Sequence, residues 1–98
     1  MPARRVLHLP VPSDVGNGAA VNVDHFDRDS MVELNGTFTA TYHIEYSITP
    51  AVWHQLGSNI TASIAPPLTI PNGAIKMRVR CSAHTSGQPT CLVAGVEM

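Results

Sequence analysis

The chain has 98 residues, enough for one domain near the lower limit of what can bury a self-sufficient core. Charged residues make up 13 % and hydrophobic ones 44 %, which implies a neutral, hydroxyl-rich, partly apolar surface suited to contact with other protein. A formal net charge of −1 supplies none of the positive field that nucleic-acid binding draws on, and no run of roughly eighteen apolar residues exists to span a membrane, so neither is expected as a partner.

Residues 1–29 read as an extended arm and loop, with 30–98 as a compact domain. The start, MPARRVLHLPVPSDVG, sets two arginines before an apolar stretch, but His8, Pro10 and Pro12 interrupt it, and it reads as mature sequence rather than a secretory leader. Short strands are expected near 6–11 and 19–23. Val6, Leu7, Leu9 and Val11, spaced by prolines, cannot pack as a unit of their own, so they are expected to engage a partner. Gly16-Asn17-Gly18 and the acidic patch DHFDRD at 24–29 read as loop, with Arg28 as counter-charge inside the patch.

After a short strand near 31–35, residues 37–48 carry the strongest period-two signal. Phe38, Ala40, Tyr42, Ile44, Tyr46 and Ile48 fall on one face, and Thr37, Thr39, Thr41, His43, Glu45 and Ser47 on the other, as a half-buried strand requires. Thr49-Pro50 breaks the run, and short strands are expected near 52–56, 60–64 and 68–70. From 74 to 85, Ile75, Met77, Val79, Cys81 and Ala83 alternate with Lys76, Arg78, Arg80, Ser82 and His84. A final strand, 90–98, follows the turn residues TSGQP, and the two strands are expected to form a hairpin. Helical spacing is absent, and prolines at 50, 66, 67, 71 and 89 fall between strands. The fold expected is all-β: a small antiparallel β-sandwich, with the jelly roll among the connectivities it admits.

Little in the pattern points to chemistry. The five histidines stand singly, with no spacing that fixes two metal ligands together, and the acidic patch lacks the glycine and distal glutamate of a calcium loop. No elbow exposes a serine or cysteine nucleophile. The expectation is a protein without catalytic residues, cofactor or metal. Lys76, Arg78 and Arg80 form a cationic stripe that could grip an acidic partner, although pairing with Glu45 across the strands accounts for it more simply. Trp53 is expected to close the sandwich edge. A turn centred on Ser86-Gly87 sets Val79, Cys81 and Ala83 against Ala94, Leu92 and Thr90. That register buries more than one opposing Cys81 to Cys91, so Cys81 is expected inside and Cys91 on the opposite face, where it could touch a neighbouring subunit.

Two motifs, in order, carry a resemblance. SITPAVW at 47–53 has the spacing of an S-x-D-G-x-x-W hairpin, and IKMRVRCSAHTSGQPT at 75–90 resembles the h-x-x-h-R-V-x-h-T-x-x-T-S-G-x-P signature that follows it in short bacteriophage virion proteins. The likeness runs from 32 to 96 and departs at Thr49-Pro50, where that family has Asp-Gly, so a wider corner is expected there. The resemblance implies a structural protein of the virion, assembled in the host cytoplasm: a capsid decoration or cement protein, homo-oligomeric in the assembly and bound to the major capsid or other virion proteins. A tail, neck or baseplate component is the alternative. The first hairpin is also similar to discoidin-like carbohydrate-binding sandwiches, which leaves an adhesin module open. The residues expected to meet partners are Val6, Leu7, Leu9, Val11, Lys76, Arg78, Arg80 and Cys91.

Overall fold

A computed structural model describes residues 3–64 and 67–97, apart from the side chains of Ala3, Glu97 and residues 27–29; the expectations for Pro66 and Met98 lie outside the described residues. The described residues form nine strands: β1 (Ala3–Leu9), β2 (Gly16–Asn17), β3 (Val21–Asn22), β4 (Phe26–Asn35), β5 (Phe38–Ser47), β6 (His54–Ile60), β7 (Leu68–Thr69), β8 (Lys76–Gly87) and β9 (Thr90–Glu97). They form two antiparallel sheets. Sheet A has the order β1-β9-β4-β7, and sheet B the order β2-β8-β5-β6, with β3 also on β8, so that β2 and β3 are two pieces of one interrupted edge strand.

The pairings are nested. β1 pairs with β9, β2 and β3 with β8, β4 with β7, and β5 with β6, as in one long antiparallel ribbon turning at its far end. Rolling that ribbon lays β9 beside β4 and β8 beside β5, and the result is a jelly roll. The core between the sheets takes every second residue. Leu9, Val32, Leu34, Cys91 and Val93 enter it from sheet A, and Tyr42, Ile44, Met77, Val79 and Cys81 from sheet B, all at 2 % exposure or less. Gly95 belongs to the same inward row because the ring of Phe26 lies where its Cβ would stand, with Phe26 Cδ1 only 2.7 Å from that point.

Three expectations about chain path are corrected. Residues 3–9 are no free arm: β1 pairs with β9 over its whole length, from Ala3 opposite Glu97 to Leu9 opposite Cys91. The loop expected at 24–29 is also largely strand, since β4 begins at Phe26, and Val23 and Phe26 are core residues. The compact body therefore starts near Ala3 rather than Ser30, and Pro10 and Pro12 sit where the chain crosses between sheets and needs no ladder donors. Nor do β8 and β9 form a hairpin. They lie in opposite sheets, joined by Gln88-Pro89, and their apolar rows meet across the core instead of across a ladder. Gly87 makes the corner possible. Its φ is +83°, and a Cβ there would stand 2.5 Å from the Thr37 carbonyl oxygen.

The outer face of β5 departs from simple alternation as well. His43, Glu45 and Ser47 are as buried as core residues, at 5, 9 and 1 % exposure; Arg78 and Arg80 of β8 lie over Glu45, and Trp53 from the loop after β5 lies over Arg78. Ile48, expected in the core, is 52 % exposed beyond the end of the strand.

Candidate functional site

The two outer faces of the sandwich hold the candidate residues. On sheet B, Glu45 stands opposite Arg78 in the ladder, and Arg80 is one outward position further along β8. Arg78 Nε donates to Glu45 Oε1 at 2.8 Å and Arg80 Nε to Glu45 Oε2 at 3.2 Å, so one carboxylate is shared by two guanidinium groups. The group is partly shielded from water: side-chain exposure is 11 % for Glu45, 19 % for Arg78 and 35 % for Arg80. Lys76 stays exposed. The cationic stripe read from the sequence is thus two-thirds internal structure, and its net positive charge is carried outward by Lys76 and the exposed part of Arg80.

Trp53 completes this face. It does not close the core. The chain turns over Thr49-Pro50-Ala51-Val52, with the Val52 amide donating to the Thr49 carbonyl at 3.4 Å, Pro50 at the second position and Ala51 at φ 71°, the geometry of a type II turn. That wide corner carries Trp53 back over sheet B, where the Arg78 guanidinium sits 4.2 Å from its ring centroid, a cation–π stack. On the same face, His43 Nε2 lies 2.7 Å from Ser82 Oγ, while His43 Nδ1 and Ser47 Oγ are buried without a hydrogen-bond partner among the described residues. Trp53 lies in an irregular loop, and no periodic signal in the sequence reports which face such a residue covers.

Sheet A presents the opposite character. Its outward rows run Val6–Ala94–Met31–Thr69 and His8–Leu92–Glu33, with Arg4 beside Val96. Val6, Met31, Leu92, Ala94 and Val96 line a shallow apolar groove of about 310 Å³ bordered by Arg4 and Glu33. Val6 is 45 % and Met31 39 % exposed. Sequence reading singled out Val6 and missed the remainder of the groove, because an outward row is assembled from three strands distant in sequence.

The other expected partner residues turn inward. Leu9 is in the core, Leu7 and Val11 pack against it, and the Val11 carbonyl accepts a hydrogen bond from Gln88 Nε2 at 2.7 Å. Cys91, expected outside, is 1 % exposed, and it shares the core with Cys81 because β9 lies in the sheet opposite β8. Both thiols are free. Burial, with the Glu33 carboxylate adding to it, pushes Cys91 up to about 12, so it is an inert thiol and no partner contact. Burial also raises Tyr42, whose hydroxyl finds no hydrogen-bond partner among the described residues.

Fold and faces together define a small jelly-roll domain whose distinctive features are surfaces rather than a cleft. Over 99 % of this chain and 96 % of the other, the fold is similar to that in the crystal structure of the SPBc2 prophage-derived protein YomS, with a TM-score of 0.72 at 17 % sequence identity. No family model matches the chain. No curated protein matches it in sequence.

Proposed function

We propose that the chain is a non-enzymatic structural protein of a bacteriophage, of the capsid decoration or cement kind, which binds other virion proteins through repeated weak contacts. The observation that carries this reading is the apolar outer face of sheet A. An antiparallel sandwich ordinarily turns polar residues outward, and a row of Val6, Ala94 and Met31 on that side is the mark of a surface that another protein covers. The similarity of fold to a prophage-derived protein and the ordered motifs at 47–53 and 75–90 supply the phage context. Symmetric presentation of many copies would convert a weak contact into firm attachment.

The test uses particles of the phage that encodes the chain. The protein should co-purify with intact heads at a fixed copy number and rebind when added back to particles that lack it, and Met31→Gln with Val96→Gln should reduce that rebinding. Absence of the protein from purified particles would sink the proposal, and recovery with tails alone would shift it to a tail, neck or baseplate component. One observation favours a carbohydrate-binding module instead: Trp53 lies on the surface of sheet B rather than in the core. Its ring is already stacked by Arg78, which weighs against a sugar platform, and Trp53-dependent binding on a glycan array would restore that reading.

A further inference from the structure

Sheet edges invite pairing with other chains, and folds blunt them with short strands, breaks, bulges or prolines. Three of the four edges here are blunted. β7 is two residues long and follows Pro67. The opposite edge of sheet B is broken into β2 and β3, with Gly18 between them drawn so close to Val79 that its amide donates to the Val79 carbonyl at 2.7 Å. β6 is bulged: three residues, 57–59, separate the partners of Tyr42 and Ile44, where β5 has only His43, and Gly57 has a φ of +76°. β1 differs. It pairs with β9 through seven consecutive positions without a register shift, it has no proline inside it, and among the described residues no strand lies beyond it.

We propose that the free edge of β1 pairs with β1 of a second copy of this chain, antiparallel about a two-fold axis through Val6, joining two A sheets into one continuous eight-stranded sheet. The occupant follows from the sequence of the strand, ARRVLHL. A two-fold axis normal to the sheet must keep outward residues opposite outward ones, so the axis passes through a residue and only a few registers remain. Centring on Arg5 pairs only residues 3–7 of β1 and leaves His8 and Leu9 outside the ladder. Centring on Leu7 draws Pro10, which has no N–H, into the ladder. Centring on Val6 uses all of Ala3–Leu9, sets Arg4 opposite His8 of the second copy, and separates the arginines. It also sets the two Val6 side chains against each other, covering an exposed apolar residue and making one outward row that runs Met31–Ala94–Val6 and then the same three in reverse. This inference stands on the edge and its register, and it holds for the isolated protein whether or not the chain is a virion component.

Sedimentation of the isolated protein across a concentration series tests it, together with two cysteine variants. The native chain should associate to a dimer. Val6→Lys, at a half-exposed position, should keep the β circular-dichroism spectrum and raise the dissociation constant at least about fivefold by opposing two like charges. Under mild oxidation Val6→Cys should link to its copy, since cross-strand Cβ atoms stand about 4.5–5.5 Å apart. Arg4→Cys should not, because its two copies would be about 13 Å apart along the strands. The native thiols are buried and do not confuse the readout. A chain that stays monomeric to about 1 mM, where an affinity of only about −4 kcal/mol would show, overturns the proposal. So does a dimer that Val6→Lys leaves intact, or linking through Arg4→Cys as readily as through Val6→Cys. If Val6→Lys fails to fold, the cysteine pair decides.

Discussion

The two outer faces of this sandwich spend their side chains differently. On sheet B most outward polar groups engage one another, with a carboxylate held by two arginines, an arginine stacked on Trp53, and His43 beside Ser82, while His43 Nδ1 and Ser47 Oγ keep no partner among the described residues. On sheet A the outward residues Val6, Met31, Ala94 and Val96 find nothing to satisfy them within the described chain. In a domain this small, an outer face can act as a second, thinner layer of core, as on sheet B, or be kept free for a partner, the role that the proposed function gives sheet A. Loss of a side chain should therefore cost folding on sheet B and recognition on sheet A.

The buried space between the sheets sets the scale for both. A thiol whose folded pKa is raised is retained in protonated form, so its stabilising effect is fully present below the ordinary value of about 9 and is lost as pH climbs towards about 12. Stability measured by denaturant titration should fall across that window, by up to about 4 kcal/mol from Cys91, and Cys91→Ala should flatten the slope. Next in size, Glu45→Ala should cost about 3 kcal/mol, because it strands two partly buried guanidinium groups. Chemical denaturation would show it, and a loss below about 0.5 kcal/mol would mean that sheet B's outer face is no inner layer. Trp53→Ala should cost about 2 kcal/mol from lost burial and the cation–π stack, without selective loss of particle attachment.

The smaller effects sharpen the contrast. Ala51→Gly should stabilise by up to about 1 kcal/mol, since glycine takes a φ of 71° without the strain that a Cβ brings. That gain, read as a rise in the melting temperature, reports on the corner alone. Met31→Gln on sheet A should change stability by no more than about 0.5 kcal/mol while weakening attachment to particles. A large loss of stability there would show that the groove belongs to the fold.

What could be read from the sequence follows from how far each signal reaches. The alternation of 37–48 and 75–83 is local, and it placed Tyr42, Ile44, Met77, Val79 and Cys81 in the core and identified Glu45 as the counter-charge of Arg78. Sheet membership is not local. The apolar rows of β8 and β9 look the same whether the strands share a ladder or face each other across a core, and the one local clue, Pro89 straight after Gly87-Gln88, is compatible with both a turn and a corner. The position of Cys91 was lost with that choice. β1 was legible as a strand, but its pairing with residues more than eighty positions away left no trace in its own composition, so it read as an arm.

That nesting also dictates when the molecule can exist. β9 lies inside sheet A, between β1 and β4, yet it is the last of these strands in chain order. Until it docks, β1 has no neighbour in sheet A among the described residues, and the inward faces of Val32 and Leu34 lack the strand that completes their layer. Such closure of distant pairings is slow, of the order of milliseconds to seconds. The final eight residues of strand act as a latch, and shortening them would leave a ribbon that cannot roll.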